Sequence, residues 1–307
     1  MPNTPLPPTE GVDPAFEDLD LWPVDTQLQA LWQSQLAAVA AIGPALPALT
    51  RAVEAALPRL RAGGRLIYAG AGSSARISAQ DGAELEPTFD WPEDKVAFLI
   101  AGGTKALTQA VENAEDDYLA GERAVADLNV GPNDILIGVA ASGRTPYTIG
   151  CVEAGGKAGA LTIAIAGAAE SPLLKAASYP VPVLTGSEPI AGSTRMKAGT
   201  AQKIVLNLIS TSLMTGLGRV WRGRMIDMRA RNEKLRNRAV SMVASLAECD
   251  SESAATALKK TNYRVKSAIL VAMGLSPDAV QSVLDEVNGN IRAAIVKTGL
   301  DRSSSRT

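Results

Sequence analysis

The sequence predicts a doubly wound α/β fold: a parallel sheet covered on both faces by helices, with further helices before it and a small three-helix module after it. Three observations carry this reading. Between residues 65 and 184, short apolar runs alternate with helix-compatible stretches, the signature of parallel strands joined by crossover helices. On either side of that region apolar residues recur at helical spacing. A chain of 307 residues that is 46% hydrophobic and 20% charged has core material for one large domain, or a medium one with an appendage.

Residues 1–24 carry five prolines before Glu17 and read as an N-terminal arm that is extended rather than helical. From Asp25, Leu28, Leu31, Leu36 and Val39, then Leu46, Leu49, Val53, Leu57 and Leu60, predict two amphipathic helices. The period then changes. Arg65–Ala69 is a short apolar run leading into Gly70-Ala-Gly-Ser-Ser74 and a helix from Ala75 to about Leu85. The same grammar returns with a strand over Lys95–Ala101 and a helix from Thr104, a strand over Asp134–Ala140 and a helix from Pro146, and a strand over Leu161–Ala166 and a helix from Pro172. Tyr179–Leu184 supplies a fifth strand.

After Ser193 a long helical region runs to about Val220, and another helix is expected from Arg229 to Cys249. Thr261–Leu300 reads as three short helices broken at Gly274, Pro277 and Gly289. The expected domains are therefore the arm over 1–24, a sheet domain with flanking helices over 25–250, a small helical module over 251–300 and a polar tail over 301–307.

Composition narrows the chemistry. There is no histidine, which excludes Ser-His-Asp and Cys-His catalysis and any imidazole-held metal; proton transfer falls to carboxylates, lysines, tyrosines or water. Thirty basic and 32 acidic residues give a net charge of −2, without the basic block a nucleic-acid binder shows. Cys151 and Cys249 form no CxxC pair or disulfide framework, as expected in a reducing compartment. No cationic-apolar leader opens the chain, and Ile204–Leu217 is interrupted by Asn207, Ser210, Thr211 and Ser212, so a cytoplasmic protein outside any membrane is expected.

In open parallel sheets, ligands bind where strands end and helices begin. Three such turns are rich in glycine and hydroxyls: Gly70-Ala-Gly-Ser-Ser-Ala-Arg76, Ala141-Ser-Gly-Arg-Thr-Pro146 and Gly192-Ser-Thr-Arg-Met-Lys197. Each can aim amides, hydroxyls and the positive end of a helix at an anion. The first matches a dinucleotide fingerprint poorly, since Ala75 ends it and no acidic residue closes the next strand for a ribose; no Walker lysine follows. The three together read as a phosphate cradle.

These turns resemble the sugar isomerase (SIS) domain. The segments Gly64–Ser74, Asp81–Phe89, Ile100–Gly103, Ala110–Asp117, Gly138–Tyr147, Gly192–Lys203 and Asn232–Leu235, collinear over roughly residues 60–240, are similar to the N-acetylmuramic acid 6-phosphate etherase family within that fold. The resemblance implies an SIS-type sheet and a cofactor-independent lyase of cell-wall sugar recycling. Such an enzyme removes the D-lactyl ether from carbon 3 of the phosphosugar by elimination and hydration. It also implies a homodimer, and leaves open whether the arm reaches the partner's site.

By motif position, Glu84 and Glu115 fall on the family's two catalytic carboxylates; Glu84 is taken as acid and Glu115 as base, with the roles open to exchange. Phosphate binding carries over to Ser73, Ser74, Ser142 and Thr145, with Gly143 allowing close backbone approach. Arg144, Ser193, Thr194, Arg195 and Lys197 line the expected rim, one cation pairing with the lactyl carboxylate. No metal is implied. The chain departs from the family pattern at Ala75, where glycine is usual, and at Glu86, which either perturbs Glu84 or faces solvent. Two rival readings are a non-catalytic phosphosugar sensor related to glucokinase regulatory protein, which would not require both carboxylates, and an aldose-ketose isomerase, weakened by the lack of histidine.

Overall fold

The computed structural model describes residues 8–228 and 233–300. Two compact units emerge: Met1–Ala83 with Glu93–Ser210, and Glu84–Pro92 with Thr211–Thr307. In chain order the helices and strands are α1 (Val24–Ala40), α2 (Leu46–Arg61), β1 (Leu66–Gly70), α3 (Gly72–Ala83), α4 (Leu85–Phe89), β2 (Val96–Ile100), α5 (Tyr118–Asp127), β3 (Ile135–Val139), α6 (Pro146–Lys157), β4 (Leu161–Ala166), α7 (Pro172–Ala176), β5 (Tyr179–Pro182) and α8 (Lys197–Gly216). There follow the short strands β6 (Val220–Trp221) and β7 (Arg224–Met225), then α9 (Glu233–Ala247), α10 (Ser251–Lys260), α11 (Val265–Ala272), α12 (Val280–Glu286) and α13 (Ile291–Thr298).

The first unit is built on a five-stranded parallel sheet of order β2-β1-β3-β4-β5. β1, β3 and β4 are buried along their whole length, which is why they read as unbroken apolar runs rather than alternating ones. Ile67, Ala69, Leu136 and Ala164 face a core shared with Val125 of α5, Cys151 and Val152 of α6 and Leu173 of α7. Tyr68 projects from the other side and meets α3, donating its hydroxyl to Asp81 at 2.8 Å. At the start of the strands Asp134 takes the Arg65 amide at 3.0 Å and the Arg65 guanidinium at 2.6 Å, pinning β3 beside β1. The chain reverses direction across the sheet between β1 and β3, so their carboxyl ends flank a topological switch point, where such sheets bind ligands.

Two expectations need correction. No regular helix starts at Thr104: Thr104–Leu107 is one 3-10 turn, and the next helix is α5. Gly102 and Gly103 have φ of 79° and 71°, and Val111 packs so close to Gly102 that a Cβ there would lie 2.7 Å from it, so the segment folds back as a loop. The two N-terminal helices form, but α1 buries Ser34 and Ala38 while Leu28, Trp32, Leu36 and Val39 lie on the surface, 48–62% exposed. The arm's described part is a series of 3-10 turns, Pro8–Glu10, Pro14–Phe16 and Leu19–Leu21. Thr9 within it is fully buried and its carbonyl accepts from the Gly192 amide at 3.0 Å.

The second unit has its own core, in which Ile226, Ala239, Val243, Leu258, Val265, Ile269, Leu284 and Ile291 are buried together. Helices α9, α10 and α11 pack on one another, so the chain does not divide near residue 250: α9 and the four helices that follow it form one body. Gly274, Pro277 and Gly289 separate α11, α12 and α13 as expected. The tail 301–307 and the stretch 229–232, where the predicted α9 start and Asn232 fall, lie outside the described residues.

Candidate active site at the carboxyl ends of the strands

The first hydroxyl-rich turn follows β1. Gly70 is pressed between two backbones, since a Cβ there would lie 3.2 Å from both the Ala75 amide and the Val139 carbonyl. Gly72 takes a left-handed φ of 52° and opens α3, leaving Ser73 half-buried at the helix start. Ser74 is different from expectation. It is buried and donates its hydroxyl to Oε1 of Gln202 at 3.0 Å, so it ties α3 to α8. Ala75 is 3% exposed and packs with Ile100 and Ala106; its extra methyl enters the core.

A cavity of about 280 Å³ opens beside this turn, lined by Ala71, Gly72, Ser73, Arg76, Ala101 and the loop Gln109–Glu115. Glu115 stands in the 3-10 turn Ala114–Asp116, entered through Asn113 at a left-handed φ of 61°. Arg76 fixes the wall by donating to the carbonyls of Ala106 at 3.1 Å and Gln109 at 3.2 Å. Sequence reading missed Arg76, although its place in the first turn, close to the cavity, was a usable signal. The structure thus brings Ser73 and Glu115 to one cavity. Glu84 is the exposed residue preceding α4 and belongs to the second unit; Glu86, one residue into α4, is half-buried.

The second turn follows β3. Gly143 has φ 65°, and a Cβ there would lie 2.3 Å from the Ser171 hydroxyl; only glycine fits. Ser142 is half-buried and accepts from the Arg144 amide at 3.2 Å, while Thr145 precedes α6 without a side-chain cap bond. The uncapped start of α6 leaves its first amides oriented as an anion site. Arg144 is exposed on the same turn.

The third turn departs most from expectation. The buried Glu188 carboxylate accepts the amides of Lys197 at 2.8 Å and Ala198 at 2.9 Å, filling the N-terminus of α8 with the protein's own anion. Lys197 is 9% exposed and donates to the Ser187 carbonyl at 2.8 Å, so it is a structural cation and not a rim group. Ser193 and Thr194 are half-buried and Arg195 exposed, which leaves Arg195 and Arg144 as the cations of the expected set that face outward.

Behind the turns, Asp81 accepts from Tyr68, from Asn207 at 2.6 Å and from Ser210 at 3.0 Å, and Lys203 donates to Asn207 at 3.1 Å. Burial pushes the Asp81 carboxyl above its ordinary range against the pull of these donors, and pushes the Tyr68 phenol well above its own. This network binds α3 to α8 and was not legible in the sequence. Cys151 is buried, and desolvation raises its thiol to about 12, which makes it an inert packing group. Among the described residues no cluster of three or more Cys, Asp or Glu could hold a metal ion.

The protein of Deinococcus radiodurans named N-acetylmuramic acid 6-phosphate etherase is 46% identical over 94% of this chain and 94% of its own. The chain belongs to the N-acetylmuramic acid 6-phosphate etherase family. The etherase of Cutibacterium acnes is 43% identical over 95% of this chain and 96% of its own. A family profile described as the glucokinase regulatory protein N-terminal SIS domain matches residues 48–155, and one described as the C-terminal lid domain of glucokinase regulatory protein matches 222–273. Among solved structures, a Bacteroides fragilis protein described as a phosphosugar isomerase involved in capsule formation aligns with a TM-score of 0.50 at 20% identity, over 63% of this chain and 91% of its own. It shares the fold, and the sheet is of the SIS type.

Proposed function

We propose that this chain is an N-acetylmuramic acid 6-phosphate etherase, cleaving its substrate to N-acetylglucosamine 6-phosphate and D-lactate. The observation that carries the reading is the cavity shared by Ser73 and Glu115 at the mouth of the sheet, in a chain alignable with named etherases over nearly its whole length. The phosphate is held by Ser73, Ser142, Thr145 and the amides at the start of α6, with Gly143 allowing its close approach to the backbone. Arg144 or Arg195 pairs with the lactyl carboxylate, alongside Ser193 and Thr194.

On the ring-opened aldehyde, Glu115 removes the carbon-2 proton, electrons move to form the C2–C3 double bond, and the C3–O bond breaks as Glu84 protonates the departing lactyl oxygen. Water then adds at carbon 3 and a proton returns to carbon 2. No oxidation state changes, so no redox cofactor is required. Two carboxyls suffice because one enters as acid and the other as base. A pure sensor would need neither. Lactate release from N-acetylmuramic acid 6-phosphate tests this: Glu84→Gln and Glu115→Gln each lower turnover by about 10²-fold or more, while Ser142→Ala chiefly raises KM. Tight phosphosugar binding without lactate release by the unaltered protein contradicts it.

The chain acts as a cytoplasmic homodimer in this reading. Support for the dimer comes from α1, where Leu28, Trp32, Leu36 and Val39 recur at helical spacing on an exposed face, an apolar stripe of the kind protein interfaces cover. The Val24–Arg61 region is also long and apolar enough by composition to cross a membrane. Light scattering after gel filtration separates the two: a dimer that Trp32→Glu converts to monomer is expected, and a monomer that instead binds phospholipid vesicles contradicts it.

A further inference from the structure

The second unit grips the segment that follows Glu84 through a chain of charges. α4 is only five residues long and ends at Asp90, which has a left-handed φ of 51°. Its closing carbonyls are taken by Arg219, whose Nη1 donates to Phe89 O at 2.6 Å and Asp90 O at 3.0 Å. The guanidinium also lies over the Trp91 ring, 4.9 Å from its centroid. Arg219 in turn faces Asp227, Nη1 to Oδ2 at 3.6 Å. Asp227 accepts from Lys266 of α11 at 2.8 Å, and Lys266, 6% exposed, also donates to the Gly289 carbonyl at 3.0 Å, just before α13.

Each link does mechanical work. Leu85 and Phe89 are 2% and 9% exposed, so α4 cannot roll, and Arg219 stops it from sliding by capping the end opposite Glu84. The capped carbonyls follow Glu84 by five and six residues, about one and a half helical turns. A buried lysine and an aspartate shared between two cations make a strong hold, because breaking either contact leaves a charge without its partner.

We propose that Arg219, held by Asp227 and Lys266, is a positioning residue for Glu84, so that the C-terminal helices set the geometry of the catalytic acid rather than serving only as packing. This rests on the reading of Glu84 as the acid. Arg219 touches no substrate in this account; it acts through the backbone of α4.

The test is a double-mutant cycle on the full chain. Arg219→Lys keeps a positive charge but is shorter and loses the planar guanidinium that places one nitrogen, Nη1, against both carbonyls and Asp227. Misplacing a catalytic group by about 1 Å costs up to about 10²-fold, so the expected result is a kcat lowered about tenfold or more, with KM within about twofold of the unaltered enzyme. In a Glu84→Gln background the same substitution adds nothing further. Asp227→Asn, which loosens the arginine without removing it, repeats the pattern more weakly and serves if Arg219→Lys folds poorly. The proposal is overturned if Arg219→Lys leaves kcat unchanged, if it changes KM alone, or if its loss is equally large in both backgrounds; those outcomes leave Glu84 as the acid. Full turnover by Glu84→Gln overturns both readings together.

Discussion

Gly143 and Lys197 show how far residue types alone could be trusted. The sequence reading assigns glycine at 143 to close approach of a phosphate oxygen, and the structure gives a further reason of its own: a Cβ there would lie 2.3 Å from the Ser171 hydroxyl, and φ is positive. Gly143→Ala is expected to cost about 1–3 kcal/mol of stability in urea unfolding and to weaken phosphosugar binding; Ser171→Ala in the same chain does not rescue it, because the Cβ that alanine keeps at 171 would still lie 2.4 Å from the added methyl and the backbone strain remains. Lys197 looked equally suitable for the rim and points inward, because Glu188 and Ser187 claim it and its helix end. The signal that was missing is a contact between side chains on different turns, which no local spacing reports; the same holds for Ser74 and Gln202. Lys197→Met therefore lowers the urea midpoint with KM nearly unchanged, whereas Arg195→Met raises KM by about tenfold, the usual loss when a charged partner of a carboxylate is removed. The reverse pattern would return Lys197 to the substrate.

At the scale of elements, all five strands were readable because a parallel strand buried on both faces needs only an apolar run between turns. The loop after β2 was not, since its course depends on Val111 seating against Gly102, and its apolar residues imitate helical periodicity. The exposed stripe on α1 was legible as a pattern but not as a surface, for amphipathic spacing does not say which partner covers it. The tie between β1 and β3 carries a pH dependence. Burial alone would raise the Asp134 carboxyl, but the Arg65 side chain and the amides of Gly131 and Arg65 hold it below its ordinary value. A depressed carboxyl contributes stability above the unfolded-state pKa of about 4, and that stability is lost as pH falls through the lower folded value. Asp134→Asn should flatten the acid limb of the stability curve below pH ~4, and should cost about 1–3 kcal/mol at pH 7 by leaving Arg65 unmatched. An acid limb identical to that of the unaltered chain would show that Asp134 is not the group responsible.

For the whole molecule, the strand order puts the switch point between β1 and β3, and the turns after those two strands, which are proposed to hold the phosphate, flank it. Sequence supplied the alternation of strands and helices but not that order, which is set by which crossovers pack together. The placement of α9 with the C-terminal helices likewise emerged only from the packing of Val243 and Leu246 against Leu258 and Ile269. The proposed assignment of proton removal to Glu115 and of proton donation to Glu84 is the claim on which the mechanism stands. Hydrogen exchange at carbon 2 of N-acetylmuramic acid 6-phosphate in deuterium oxide tests it most directly, because removing the proton and expelling lactate are assigned to different groups. The account predicts that Glu84→Gln still exchanges that hydrogen while releasing lactate about 10²-fold more slowly, and that Glu115→Gln does neither; exchange by Glu115→Gln at the rate of the unaltered enzyme would contradict it.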